Sequence, residues 1–477
     1  MMEMVETKIT GLTADSRAVK PGYLFAALPG VKSDGRSYIG QAIRNGAVAI
    51  LAPSGTVLEP GMDHVRLIES AEPRLALSQM AAEFYEKQPE TIVAVTGTSG
   101  KTSTVQFTRQ IWAQLGHKAA AIGTVGIIAP GFERYGALTT PDPIQLHADL
   151  AMLADSGVTH LAMEASSHGL DQFRLDGVKV KAAAFTNFSR DHLDYHLSFD
   201  AYLAAKLRLF RSLVEPNGWA IINNDIPEYG PVKAASESRG LRILGFGRTP
   251  SQNPGHDLIL TTQTPLPHGQ IVGVKARGRA YQLTLNLMGE FQSMNVLAAI
   301  GLVLASGEDI DAAMEAAQHL GGVPGRAELV ATTPDGAQVF VDYAHKPGAL
   351  ETILKALRPH VQGRLVVVFG CGGDRDRGKR PIMGEIATRL ADKVYVTDDN
   401  PRTEVPAAIR AEIMAACPGA TEIGDREEAI CVAVRDLKPG DLLVIAGKGH
   451  ERGQIVGDTV KPFDDAEVAR AAVVALK

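Results

Sequence analysis

Thr91-Ile-Val-Ala-Val-Thr-Gly-Thr-Ser-Gly-Lys-Thr-Ser-Thr104 runs from a buried apolar strand through a glycine-rich loop into the start of a helix. Ile92 to Val95 form the strand, Gly97 and Gly100 let the chain turn tightly, and Thr102 to Thr104 open the helix. Val105, Thr108, Ile111, Trp112 and Leu115 then recur at helical spacing, and Gly116 stands where a C-terminal cap belongs. A helix N-terminus offers unpaired N–H groups and partial positive charge. Lys101 adds a full charge and Thr102 a hydroxyl suited to a magnesium ion. The stretch therefore reads as a nucleotide-phosphate site, although Val95 stands where the usual G-x-x-x-x-G-K-[ST] pattern has its first glycine.

The rest of the chain fits around that site. A length of 477 residues, 45% of them hydrophobic, suits about three domains with ordinary cores. Lys plus Arg number 48 against 54 Asp plus Glu, and the net charge of -6 argues against nucleic acid or an anionic membrane as partner. Cys371, Cys417 and Cys431 lack paired spacing, which speaks against a disulfide framework or zinc ribbon and suits a reducing cytoplasm. Met1 to Glu6 are too acidic for a signal peptide, and no apolar run reaches membrane-spanning length, so no membrane insertion is expected.

Strand-like runs alternate with helices along most of the sequence, which predicts an α/β protein of three domains. Residues 1–88 form a small N-terminal α/β domain, residues 89–322 a central P-loop doubly wound parallel sheet, and residues 323–477 a C-terminal Rossmann-like domain. In the central part Ala119–Ile122, His160–Met163, Val180–Phe185 and Trp219–Ile222 each end in polar or glycine residues. Ligands of such sheets gather beyond the carboxyl ends of the strands, so Glu164 and the loop Asn187–His196 should face whatever Lys101 holds. Gly289 to Asn295 read as a loop before an apolar helix Val296–Leu304, followed by a helix Ala312–Leu320 and a hinge at Gly321–Gly325. In the last part Val339–Val341, Leu365–Phe369, Val394–Val396 and Leu442–Ala446 end in loops dense in Asp, Arg, Glu and Gly. Such loops can be simple turns, but mixed charges on one edge suit a zwitterionic ligand.

One lysine stands out. Phe199, Tyr202, Leu203, Leu207 and Phe210 trace an apolar helical face, and Lys206 lies on it. A lysine snorkelling from the edge of the face is the ordinary explanation. The alternative is a lysine pointed into the site, as a cation or as a carbamate formed with carbon dioxide that would ligate a metal beside Glu164 and His192. At the N-terminus, Asp15, Ser16 and Arg17 read from composition as a capped turn carrying a solvated charge.

Taken together, these motifs resemble the Mur ligase family, ATP-dependent enzymes that form the amide bonds of the bacterial cell-wall peptide. The resemblance is carried by Thr96-Gly-Thr-Ser-Gly-Lys-Thr102, Met163-Glu-Ala-Ser-Ser-His-Gly169, Thr186-Asn-Phe-Ser-Arg-Asp-His-Leu-Asp-Tyr-His196, Ala204-Ala-Lys206, Pro324-Gly-Arg326 and Val341-Asp-Tyr-Ala-His345, and it runs nearly end to end. Within the family, Asp15-Ser-Arg17, Gly370-Cys-Gly-Gly-Asp-Arg375, Asp399-Asn-Pro-Arg402 and Gly447-Lys-Gly-His-Glu451 are similar to the members that add the third residue of the peptide. The Asp-Asn-Pro-Arg form is the one associated with meso-diaminopimelate.

The resemblance implies an ATP site formed by Gly97, Thr98, Ser99, Gly100, Lys101, Thr102 and Ser103, with Asn295 at the adenine and Arg326, Asp342 and His345 completing it. It implies that Lys101, Glu164, His192 and Lys206 are the catalytic set. Two Mg2+ ions would be held by Thr102, Glu164, His192 and the carbamate of Lys206. Ser16, Val31, Lys32 and Ser33 would meet the uridine end of a UDP-N-acetylmuramoyl-dipeptide, and Thr139, Thr140, Ser166, Gln172 and Arg174 the dipeptide end. Arg375, Asp399, Asn400, Pro401, Arg402, Gly447 and Glu451 would form the diaminopimelate pocket. A cytoplasmic monomer acting on small molecules is expected. Departures from the family pattern fall at Gln292, where asparagine is common, at Lys346, and at Arg452-Gly453 after Glu451. They leave the adenine contacts and the pocket rim open. Rival readings are a lysine-adding or folylpolyglutamate synthase-like ligase of the same architecture, and an ATPase switch that drives a partner.

Overall fold

The computed structural model describes residues 8–30, 33–136, 138–248 and 256–476. By internal contacts the chain falls into two compact units. The first comprises residues 1–101, 115–245 and 301–308, and the second residues 102–114, 246–300 and 309–477.

In the first unit, β1 (Gly11–Thr13), β2 (Tyr23–Ala26), β3 (Ala49–Pro53) and β4 (Arg66–Ser70) lie side by side in that order, all parallel. Leu24, Ala26, Ala49 and Leu51 pack one face of this sheet against Leu77 and Ala81 of the helix Pro73–Tyr85, while Phe25, Ile50 and Ala52 pack the other face. The period of two in β2 and β3 serves both faces, as expected for a strand covered on each side.

The second sheet of this unit contains β5 (Thr91–Thr96), β6 (Ala119–Gly123), β7 (Gly126–Ala129), β8 (Phe132–Arg134), β9 (His160–Glu164), β10 (Val180–Phe185) and β11 (Val214–Asn223). Their order is β11-β10-β5-β9-β6-β7-β8. The strands from β11 to β6 are parallel, and β5, buried at every residue, lies between β9 and β10. Val95 pairs with Glu164 and Thr96 with Phe185, so the carboxyl ends of these strands come out together. The doubly wound parallel sheet that was expected is extended at one edge by β7 and β8, which run antiparallel. Gly126 at φ 92° and Gly131 at φ 69° supply the left-handed backbone those two reversals need.

After β12 (Arg242–Arg248), the second unit opens with an antiparallel meander of β13 (His256–Leu266), β14 (Gly269–Ala276) and β15 (Arg279–Leu285). Val272, Val274 and Ala276 alternate inward along β14, and Arg277 and Gly278, both at positive φ, form the two-residue turn into β15. The expected loop at Gly289–Asn295 is helical: one helix runs Glu290–Ala305, with Gly289 at φ 93° before it and Glu290 in its first turn. The next helix is Ile310–Ala317, earlier than expected, because Asp309 caps it by accepting from the N–H groups of Asp311 and Ala312.

The final sheet orders β16 (Glu328–Thr332), β17 (Gln338–Asp342), β18 (Leu365–Phe369), β19 (Lys393–Val396), β20 (Thr421–Glu422) and β21 (Leu442–Ala446) as β16-β17-β21-β18-β19-β20, parallel except for β16. Alternate residues go to opposite cores. Phe340, Val367, Phe369, Leu442 and Val444 meet the helices Pro347–Leu357, Lys379–Leu390 and Pro406–Met414 on one face. Val339, Val341, Val366, Val368, Leu443 and Ile445 meet Arg426–Arg435 and Asp465–Val474 on the other. A doubly covered sheet leaves its strand ends as the place where polar loops can gather, as the sequence predicted. The hairpin β22 (Gly453–Val456) and β23 (Thr459–Pro462) follows.

Candidate active site

In the first unit the site grows from the end of β5. Gly97 has φ 142°, and a Cβ there would lie 2.0 Å from Thr186 Oγ1, so only glycine lets the loop after β10 close on it. That loop then holds the phosphate loop by a dense set of bonds. Thr98 N–H donates to Asn187 O (2.9 Å) and Ser99 N–H to Asn187 Oδ1 (2.8 Å), while Thr186 Oγ1 and Asn187 Nδ2 donate to Ser99 O (2.7 and 3.0 Å). Lys101 Nζ donates to the carbonyls of Gly97 (3.0 Å) and Thr98 (2.9 Å). The helix begins at Lys101 itself, one residue earlier than the sequence suggested.

Lys206 points inward. It is 1% exposed, its Nζ donates to the same Gly97 carbonyl (2.7 Å), and it sits 4.5 Å over the Tyr202 ring, whose hydroxyl lies 3.2 Å from Thr98 Oγ1. Snorkelling is excluded. Burial, reinforced by the charge of Lys101, holds the Lys206 amine well below the ordinary lysine pKa. Phe199, expected on the same apolar face, is instead exposed.

Glu164 ends β9 buried, with Oε1 accepting from Thr124 N–H (2.7 Å) and Oε2 from Thr124 Oγ1 (3.1 Å). From it runs a continuous polar chain containing the residues expected at the dipeptide. Thr139 Oγ1 lies 3.1 Å from Thr124 Oγ1; Thr140 Oγ1 meets Glu164 O and Ser166 Oγ at 3.0 Å each. Arg174 then donates to Thr140 O (2.8 Å) and Gln172 Oε1 (2.7 Å), and Gln172 Nε2 to Tyr195 OH (3.0 Å). Thr124 and Tyr195 were missed by sequence reasoning. Thr124 directly follows β6, much as Glu164 closes β9, and could have been found by that position. His192 sits at φ 51° with a side chain 42% exposed and its Nε2 3.4 Å from Asp191 Oδ2.

At the N-terminus Ser16 is buried and donates to Gln41 Oε1 (3.1 Å), while Asp15 caps the turn and pairs with exposed Arg17. The Arg17 hydrogen bonds pull the Asp15 carboxyl down to about 2. Ser33 is exposed, and its carbonyl accepts from Gly30 N–H (3.1 Å). Val31 and Lys32 lie outside the described residues.

In the second unit Thr102 and Ser103 are buried, and Arg326 Nη2 donates to Thr102 Oγ1 (3.3 Å) with its guanidinium 4.6 Å over Tyr343. Asn295 Nδ2 donates to Gln292 Oε1 (3.0 Å), and Gln292 Nε2 reaches Arg326 O (3.4 Å). The glutamine that departs from the family pattern thus links Asn295 to Arg326. Asp342 accepts from the N–H groups of Ala327 (2.7 Å) and Ala344 (2.8 Å); burial pushes its carboxyl up, against the pull of Arg326. His345 Nδ1 donates to Tyr343 O (2.8 Å), and burial takes its imidazole down to about 4, so it is neutral in ordinary buffers.

The residues expected at the amino acid come together at the ends of β19 and β21. Asn400 Nδ2 donates to Glu451 Oε2 (3.0 Å), and buried Lys448 donates to both Asn400 Oδ1 (3.0 Å) and Glu451 Oε2 (3.3 Å). A Cβ on Gly447 would lie 2.8 Å from Asp399 Oδ2. Arg402, at φ 51°, donates to Gly373 O (2.8 Å) beside Pro401, whose carbonyl packs on Gly373; Arg375 is exposed. Beneath the pocket, Arg426 and Asp465 form a bidentate pair (2.7 and 2.7 Å) with neither side chain exposed. Arg426 also donates to the carbonyls of Asp398 and Ala446. Lys448, Arg426 and Asp465 were missed. Lys448 lies inside the motif that was read, but the other two meet from distant helices and carry no local pattern.

Three family models match consecutive segments: Mur ligase family, catalytic domain, over residues 8–85; Mur ligase middle domain over 95–303; and Mur ligase, glutamate ligase domain, over 325–449. The chain belongs to the Mur ligase family. Among Mur ligase relatives, the UDP-N-acetylmuramoyl-L-alanyl-D-glutamate--2,6-diaminopimelate ligase of Brucella melitensis is 54% identical over 476 residues, covering 100% of this chain and 96% of its own. The ligase of that name from Mesorhizobium japonicum is 53% identical over 98% of this chain and 95% of its own. A solved structure of a ligase with the same name is 33% identical, with a TM-score of 0.73 over 98% of this chain and 95% of its own. Among the described residues no helix is long and apolar enough to cross a membrane.

Proposed function

We propose that the protein is an ATP-dependent ligase that joins meso-2,6-diaminopimelate to the γ-carboxylate of D-glutamate in UDP-N-acetylmuramoyl-L-alanyl-D-glutamate, in the cytoplasm and as a monomer. The observation that carries this reading is identity of 53–54% to relatives named for that activity, over 98% or more of the chain. That span includes the phosphate loop and the Asp399–Arg402 loop alike. In this reading residues 1–88 bind the UDP end, 89–322 bind ATP and 323–477 bind the amino acid.

Joining a carboxylate to an amine requires an activated acyl group. The substrate carboxylate attacks the γ-phosphorus of ATP, ADP leaves, and the amine then attacks the acyl phosphate and expels phosphate. Both first partners are anions, so the loop N–H groups from Gly97 to Ser103 and the Lys101 ammonium stabilise the charge moving between them. Thr139, Thr140, Ser166, Gln172 and Arg174 orient the dipeptide, and Ser16 and Ser33, with Val31 and Lys32, hold the uridine end. Asn295, Arg326, Asp342 and His345 serve the nucleotide. The residues fit a metal site. Glu164 keeps lone pairs on a buried carboxylate, and the amine of Lys206, whose pKa burial lowers, can in its unprotonated form take up carbon dioxide with loss of a proton to become an anionic carbamate. Thr102, Glu164, His192 and that carbamate would hold two Mg2+ ions, which when bound offset the phosphate charge.

Arg402 and Arg375 suit carboxylates, while Glu451 and Asp399 suit an ammonium. Asn400, Pro401 and Gly447 shape the pocket between them. Lysine lacks the distal carboxylate and leaves the arginine side unpaired, which should give strong discrimination. The test is ADP release with ATP, Mg2+ and the UDP-dipeptide, comparing meso-diaminopimelate, L-lysine and no amino acid. Turnover with diaminopimelate and a tripeptide product supports the reading. Turnover with lysine instead removes the pocket assignment, and turnover without any amino acid removes the ligase assignment.

A further inference from the structure

A cluster of potential metal ligands lies away from the catalytic residues. Among the described residues, His117, His160 and Glu308 are the group of three His, Cys, Asp or Glu side chains that each bring a ligand atom within 4.8 Å of the others. All three belong to the first unit. His117 Nε2 lies 2.8 Å from Glu308 Oε1, and the His117 and His160 rings sit 4.0 Å apart at 36°. Both His117 and Glu308 are largely shielded, with side chains 30% and 24% exposed. His160 Nδ1 lies 2.9 Å from Thr159 Oγ1, the kind of outer partner that fixes the ring of a ligating histidine.

We propose that His117, His160 and Glu308 bind a divalent first-row transition ion of the Zn2+ class, at a site separate from the phosphate loop. Two imidazoles and one carboxylate favour such an ion over Mg2+, which prefers oxygen donors. Ligand atoms around a tetrahedral zinc lie about 3.4 Å apart, given bonds of about 2.0–2.1 Å, so the cluster needs only side-chain adjustment to close. Three protein ligands leave a fourth position for water.

Place in the fold says what the ion would do. His117 follows the helix Lys101–Gln114, His160 opens β9, and Glu308 follows the helix Glu290–Ala305. His117 and Glu308 are 191 residues apart in sequence, so one ion would fasten remote segments of chain to the start of β9. Glu164 ends that strand, about 13 Å away at about 3.3 Å per residue. The ion is therefore a fastener that raises stability, with no ligand shared with the reaction.

The test uses the full-length, tag-free protein stripped of metal and held in excess Mg2+. Co2+ is titrated while its visible absorption is followed, Zn2+ is used to displace it, and melting is recorded at each stage. One equivalent of Co2+ in a low-coordinate, strongly absorbing environment is expected, displaced by Zn2+ and accompanied by a rise in melting temperature. Glu308→Gln and His160→Gln should each weaken binding at least about tenfold, whereas His192→Gln should leave spectrum and affinity unchanged. Glu308→Gln keeps a hydrogen-bond acceptor for His117 and remains informative if His160→Gln does not fold. Absence of the absorption, or one equivalent bound equally well by both cluster variants, overturns the site and leaves a His117–Glu308 hydrogen bond beside a stacked ring.

Discussion

The phosphate loop and the cluster proposed as the amino-acid pocket are built in opposite ways. The loop of residues 97–101 is held by main-chain geometry, by the loop of Thr186 and Asn187 bonded to Thr98 and Ser99, and by Lys206 and Tyr202 from one helix. The pocket around Asn400 and Glu451 is made of side chains, and it stands on a buried Arg426–Asp465 pair contributed by two separate helices. A site made of backbone tolerates variation nearby but not at its glycines. A site made of propped side chains depends on residues that never touch the ligand.

The sharpest way to break that contrast is Asp465→Asn. It leaves the Arg426 guanidinium buried without its carboxylate, which should lower unfolding free energy by about 3–5 kcal/mol, measured by urea denaturation. In the protein that remains folded, the KM for the amino acid should rise while that for ATP stays near its starting value. An equal rise in both would mean that the pair supports the whole unit and not the pocket in particular.

Next in size is Lys206→Met. Activity should fall at least about 100-fold, in the range found for losing one preorganised electrostatic group. Melting temperature should hold or rise, because a buried amine is replaced by an apolar chain of similar length. A wild-type 13C signal from labelled bicarbonate, absent in the variant, checks the carbamate directly. Loss of stability with activity retained would make Lys206 a structural residue.

Arg402→Lys should act mainly on the amino acid, raising its KM about tenfold or more, since charge-assisted hydrogen bonds contribute about 1.5–3 kcal/mol. Part of that effect comes from losing the bond to Gly373 O. The smallest change expected is Gln292→Asn. The shorter amide loses its reach to Arg326 O, a bond already long at 3.4 Å, and should cost less than about 1 kcal/mol in ATP binding, read from KM.

How far each region could be read from sequence follows the same contrast. β5 and its loop were legible because strand, glycines and helix start are contiguous, and Glu164, Asp342 and the loop of Asn187 were legible because polar residues stand out where apolar strands of a parallel sheet end. The inward orientation of Lys206 was visible as a charge on an apolar stripe, though spacing alone left it open. The β13–β15 meander and the β7–β8 edge were not legible, since short alternating runs compete weakly with the expectation of a parallel sheet. Asn295 was placed in a loop because Gly289 looked like its start, whereas that glycine ends just before the helix. Thr124 and Lys448 lay within stretches that were legible, at a strand end and inside the Gly447–Glu451 motif, but the Arg426–Asp465 pair joins two helices 39 residues apart, which no local pattern records.

Activation of the carboxylate as an acyl phosphate, which diaminopimelate then takes, leaves a trace in the oxygen atoms of the released phosphate. The direct test labels the γ-carboxylate of the D-glutamate with 18O and analyses the phosphate released during turnover. The account predicts one labelled oxygen transferred to inorganic phosphate, with label appearing when meso-diaminopimelate is present and not when L-lysine replaces it. Phosphate released without label would contradict the acyl-phosphate route, and equal label transfer with lysine would contradict the pocket assigned to Arg402.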